Sequence, residues 1–74
     1  MAAEETKPVP ELSQRQIQIL DSITRGLSNT QISSQYGISL ESVKTHIVKL
    51  FAKIGATNRA EAASIALRRH LLKV

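Results

Sequence analysis

The 74-residue sequence contains no cysteine and no tryptophan, and only one tyrosine and one phenylalanine. Without cysteine, neither a disulfide framework nor a thiolate zinc site can hold the chain together. With so few aromatics, the core has to be assembled from isoleucine, leucine, valine and alanine. No apolar run approaches the ~18 residues of a membrane span, and the start of the chain lacks the basic-then-apolar order of a signal peptide. There is no alternating strand pattern, no internal repeat and no low-complexity stretch. These absences leave a soluble, cytoplasmic, all-α chain with no membrane partner as the expectation. A domain of this size buries only ~60% of the surface its unfolded form exposes, so a partner surface would add to a thin margin of stability.

Catalytic machinery is missing in the same way. The sequence has no Gly-rich phosphate loop and no paired carboxylates at a useful spacing, and His46 and His70 have no third group placed to orient either. The chain is therefore read as a non-enzyme that needs no cofactor and holds no metal.

What is present is positive charge, unevenly placed. The first eleven residues hold Glu4, Glu5 and Glu11 against Lys7, a net of −2, so the overall +4 leaves +6 on residues 12–74. A small basic domain points to a polyanionic partner, although basic solvated surfaces are also common. Residues 1–11, with Pro8 and Pro10 and no apolar periodicity, read as a flexible linker or tail.

Residues 12–74 form one domain, with helices expected at about 14–25, 29–36, 40–54 and 59–72. Ser13 with Gln16, Ser28 with Gln31, and Asn58 with Glu61 each form a cap signal: the first side chain accepts from an orphan backbone N–H and the fourth reaches back. Ser39 is a simpler cap. The first helix puts Ile17, Leu20 and Ile23 at helical spacing before Gly26, and the short second helix offers Ile32 and Tyr36. In the third, Leu40, Val43, Ile47, Leu50 and Ile54 fall within an arc of roughly 80° that must face the core. Its opposite face carries Glu41, Ser42, Thr45, Val48, Lys49 and Ala52, flanked by Lys44 on one side and by His46 and Lys53 on the other. A short helix, a tight Gly-containing turn and a longer helix with a cationic outer face is the layout of a helix-turn-helix, whose second helix enters the major groove.

The segments "LSQRQIQIL", "GLSNTQIS" and "GISLESVKTHIVKLFAKIGATNRAEA" closely resemble the LuxR/NarL/FixJ-type DNA-binding domain, the C-terminal effector of many bacterial response regulators and quorum-sensing receptors. The resemblance runs from about Leu12 to Leu72, and its most specific piece is V-K-T-H-I-x-x-L-x-x-K-I-G-A. It implies a four-helix, bundle-like, LuxR-type domain in which helix three reads DNA and helix four dimerises. It also implies an upstream regulatory domain that this chain lacks and, among related folds, contact with RNA polymerase. The starting Met and acidic tail fit either a fragment or a natural single-domain protein; because family members usually carry a sensor, a fragment is expected.

By that resemblance, Lys44, Thr45 and Val48 are the base readers. Lysine can donate to guanine O6 or N7, threonine can use hydroxyl or methyl, and valine can pack on a thymine methyl. The plain alternative for Val48 is an ordinary exposed apolar residue. Phosphate contacts are expected from the amino end of helix two at Ser28, Asn29 and Thr30, where free N–H groups and a positive dipole end meet. Ser42, Lys49 and Lys53 extend this set along helix three, each lysine having a solvated-surface alternative. His46 has a backbone-contact reading and a half-buried structural one, and Arg59 either reaches a phosphate or braces the loop after Gly55. Three positions depart from the family pattern: Gln16 and Gln18 stand where glutamates are frequent, and Thr30 where lysine is common.

Helix four has apolar residues on two sides. Ala62, Ile65, Ala66 and Leu72 are assigned to the core, and Ala60, Ala63, Leu67 and Leu71 to a two-fold dimer that is weak in the isolated domain. The alternative is that both faces are buried within one chain. The functional expectation is sequence-specific binding of double-stranded DNA, at a palindromic operator, by the output domain of a two-component response regulator. A protein-docking module is the competing class, and it would bind without the salt slope of counterion release.

Overall fold

The computed structural model describes residues 11–72, and its elements are four helices: α1 (Gln14–Thr24), α2 (Asn29–Tyr36), α3 (Leu40–Ile54) and α4 (Arg59–Arg68). Residues 1–10 of the expected tail lie outside the described residues. Three of the four starts follow the cap chemistry written in the sequence, and the fourth follows it in part. Ser13 and Ser28 each accept from the backbone N–H three residues on, and Gln16 and Gln31 accept in return from the cap N–H, at 2.8–3.1 Å. Ser39 caps α3 alone, accepting from the Ser42 N–H at 3.0 Å. At α4, Asn58 accepts from the Glu61 N–H at 2.8 Å, but the Glu61 carboxylate reaches one residue further back than a capping box requires. It accepts from the backbone N–H of Thr57 at 2.6 Å and from the Thr57 hydroxyl at 2.8 Å.

The four helix ends share one device. A residue with φ between 54° and 81° (Gly26, Gly37, Gly55 and His70) is followed by an apolar residue whose N–H turns back onto the last turn. The bonds are Leu27 to Ser22, Ile38 to Ser33, Ala56 to Phe51 and Leu71 to Ala66, at 2.9–3.1 Å. The left-handed step swings each following residue inward, where Ala56 and Leu71 are buried and Leu27 and Ile38 pack against the core. Glycine takes this conformation without penalty at Gly37, and the three-residue turn it begins sets the crossing of α2 and α3.

The last of these closures corrects two expectations. Helix four ends at Arg68 rather than near residue 72, because His70 adopts φ 54° and reverses the chain. Leu71, placed by its helical phase on the dimer face, is therefore only 8% exposed and belongs to the core. Leu72, expected in the core, is half-buried against it. A glycine would have announced this stop; histidine tolerates the left-handed region well enough to form it without the signal.

The core joins Ile19, Leu20 and Ile23 of α1, Ile32 of α2, Val43, Leu50 and Ile54 of α3, and Ala62, Ile65 and Ala66 of α4. Ile19 is fully buried and Ile17 only half, so α1 is rotated from the face first read off its spacing. Leu40, at the first turn of α3, is 39% exposed rather than in the core. α1 packs on both α4 and α3, and α2 packs on α3. The Tyr36 hydroxyl ties α2 to α1: it donates to the Gln18 carbonyl at 3.4 Å and lies 3.4 Å from the Ser22 hydroxyl, while the Arg15 guanidinium sits 5.3 Å from its ring centre. Two sides of α2 are thus pinned, which holds the helix-turn-helix pair as a unit.

Candidate nucleic-acid interface

The outer face of α3 is free of intramolecular cover. Glu41, Lys44, Thr45, Val48, Lys49, Ala52 and Lys53 are all exposed, and Val48 presents 68% of its surface to solvent. That face is the direct consequence of the 3-4-3-4 spacing of the inner residues, with Val43 and Leu50 wholly buried beneath it. Lys44 makes one ion pair, with Glu41 one turn back at 3.7 Å, and both side chains are more than half exposed. Such a pair is worth little in water and yields readily to a phosphate or a base edge.

The flanks are more constrained. Ser42 is half-buried and its N–H is taken by the Ser39 cap. His46 is half-buried. Lys53 lies at the carboxyl end of α3 and points its ammonium at the Gln16 carboxamide of the α1 capping box, 3.4 Å away. Lys49 is exposed.

At the amino end of α2, the Ser28–Gln31 box satisfies two donors. The backbone N–H groups of Asn29 and Thr30 stand in the first turn, where no carbonyl lies one turn earlier to receive them. The first turn of α2 carries no acidic residue, so its positive dipole end is not neutralised locally. Arg59, expected either at a phosphate or bracing the loop after Gly55, is held at the start of α2. From the first turn of α4 it donates to the Asn29 Oδ1 at 2.7 Å and to the Leu27 carbonyl at 2.5 Å, so it braces the start of α2 rather than the loop after Gly55. A contact spanning thirty residues leaves no local signal in the sequence, which is why spacing arguments missed it.

On α4, Ala60 and Leu67 are exposed, Leu67 by 69%, and Ala63 is half-buried, while Leu71 has left this face for the core. Among the described residues there is no cluster of three or more histidine, cysteine, aspartate or glutamate side chains able to hold a metal ion. Nor is any helix among them long and apolar enough to cross a membrane.

The arrangement of a pinned short helix, a left-handed turn and a longer helix with a bare cationic face matches a known family. The family model described as bacterial regulatory proteins, luxR family (GerE) aligns with residues 10–66. The chain belongs to the luxR family. This luxR-family domain is 34% identical over 71 residues to the transcriptional regulatory protein LiaR of Bacillus subtilis, an alignment covering 96% of this chain and 34% of LiaR. It therefore spans about a third of that relative's length. Among solved structures it is similar to the response regulator ChrA of a heme-sensing two-component system, with a TM-score of 0.82 and 39% identity over 93% of this chain and 34% of ChrA. It is also similar to Vibrio cholerae VqmA, solved in complex with ligand and DNA, with a TM-score of 0.80 and 28% identity over 93% of this chain and 30% of VqmA. The luxR-family domain is thus the DNA-binding domain of a transcription regulator.

Proposed function

We propose that this domain binds double-stranded DNA sequence-specifically as the output domain of a two-component response regulator. In this reading α3 lies in the major groove, with Lys44, Thr45 and Val48 at base edges. The amino end of α2 and Lys49 hold phosphates, with Lys53, Ser42 and His46 on the flank. The observation that carries it is the bare outer face of α3, where two polar donors and one apolar side chain stand exposed together, opposite the fully buried Val43 and Leu50. Those three chemistries suit guanine, either hydroxyl partner and the thymine methyl. The surrounding lysines suit the backbone, whose contacts position the protein without reading sequence.

The exposed Ala60 and Leu67 of α4, with Ala63 beside them, are the surface through which two copies pair on DNA. With Leu71 withdrawn, this patch is smaller than the helical phase suggested, which favours a dimer that forms on the operator rather than free in solution. Two recognition helices related by a two-fold axis would meet palindromic half-sites about one helical turn apart. The relatives that extend well beyond this segment support placing a separate regulatory domain in the whole protein.

The test is comparative. Lys44→Ala and Thr45→Ala should each cost roughly 1–3 kcal/mol on the preferred site and relax its sequence preference, whereas Lys49→Ala should weaken all duplexes about equally. Equal losses on every sequence for all three variants would sink the base-reader assignment.

A further inference from the structure

Arg59 stands at an electrostatically awkward place. Its charge lies in the first turn of α4 and its guanidinium reaches the first residue of α2, so it opposes the positive ends of two helix dipoles at once. Glu61 keeps its carboxylate at the start of α4, on Thr57, whereas the first turn of α2, where the guanidinium lies, carries no acidic residue to offset it. A bound phosphate at the start of α2 would turn this cost into attraction.

The chemistry of the contact adds a direction. A guanidinium has only donors, so the oxygen of the Asn29 carboxamide must face Arg59, and its NH2 group is turned to the other side. The second prong, on the Leu27 carbonyl, fixes the guanidinium plane against the α1–α2 junction. The outward side of Asn29 is thereby converted to donors only, next to its own backbone N–H and that of Thr30. We propose that Arg59 is a positioning residue that aims the Asn29 carboxamide, so that its Nδ2 joins the amino end of α2 in holding one DNA phosphate. This rests on the phosphate contact at α2 proposed above. It also links the α4 helix that pairs two copies to the α2 helix that grips the backbone.

The experiment is a double-mutant cycle on binding to a mixed-sequence duplex, a suitable probe because phosphate contacts carry no sequence information. Asn29→Ala and Arg59→Ala should each weaken binding roughly tenfold, as expected for one hydrogen bond to a charged group. The double variant should be no more than about twofold weaker than the worse single one, because both remove the same contact. Arg59→Lys keeps the charge but lacks the planar fork, and it should bind like Arg59→Ala. Thermal unfolding of each variant fixes a binding temperature at which all are folded. Independent losses that multiply in the double variant, or full rescue by lysine, would show that Arg59 acts through its own charge and would overturn the inference while leaving the α2 contact standing. An Asn29→Ala variant that binds like the parent would show that the carboxamide holds no phosphate and would overturn the inference, while the backbone N–H groups at the start of α2 would remain in place.

Discussion

Replacing Leu71 with alanine removes a side chain that is only 8% exposed, although helical phase alone assigns it to an outer face. Its burial depends on the His70 reversal and the bond from its N–H to the Ala66 carbonyl at 3.0 Å. Leucine-to-alanine changes in cores cost about 2–5 kcal/mol, and Leu71 lies beyond the end of α4 and keeps some exposure, so about 2–3 kcal/mol is expected. For a domain of this size each kcal/mol lowers the melting temperature by about 4–8 °C, which gives a drop of about 8–24 °C. Leu67→Ala is the paired control. Leu67 is 69% exposed, so its loss should change stability by no more than about 0.5 kcal/mol. Circular dichroism melting curves of the two variants decide the matter, with binding to single and paired half-sites measured on the same samples. Leu67→Ala should bind a single half-site normally and lose cooperativity on the pair. If Leu67→Ala melts lower than Leu71→Ala, helix four continues past Arg68 and the two faces have been exchanged.

Two further expectations concern helix four. His70→Gly relieves a side chain from the left-handed region and should raise stability by about 1 kcal/mol, read as a rise of several degrees in the melting temperature; a fall would mean that the His70 side chain makes a contact worth more than the strain. The Glu61 carboxyl is held below its ordinary value of 4.5, first by the Thr57 backbone N–H and then by the Thr57 hydroxyl, with desolvation opposing them and the charge of Arg68 adding the least. A lowered carboxylate contributes stability that is fully present above its ordinary value and is lost as the pH falls below 4.5 through the lowered one. Glu61→Gln should therefore melt lower than the parent at neutral pH and approach it in acid, and a gap between the two that stays constant across that window would contradict the assignment.

Much of this fold is readable because its start signals are local. Ser28, Ser39 and the glycine at position 37 lie within a few residues of the groups they satisfy, so the limits of α2 and α3 follow from neighbours in sequence. The outer face of α3 is legible for a similar reason, since the periodic burial of Val43, Leu50 and Ile54 leaves the rest of the wheel outside. Where the reading failed, the deciding interaction was either unsignalled or remote. His70 ends a helix with a residue that carries no stop signal, and that single φ moved Leu71 from surface to core. Glu61 had two N–H groups within reach and chose Thr57, whose hydroxyl adds a second bond to the same oxygen. Arg59 finds Asn29 and Leu27 only because α4 packs back across α1, a tertiary fact that no window of sequence contains. Ile19 displaced Ile17 from the core for the same reason, since the rotation of α1 is set by what α3 and α4 offer it.

The central question for this domain is whether the exposed face of α3 reads base sequence. The most direct measurement is selection of the domain against random duplex DNA, followed by the affinity of the enriched site and of a scrambled duplex over a salt series. If α3 reads bases, an enriched, roughly palindromic site is expected whose preference over the scrambled duplex survives at physiological salt, while both affinities fall as counterions are released. No enrichment, with all binding vanishing as salt rises, would leave only a polyanion-binding surface and contradict base reading by α3.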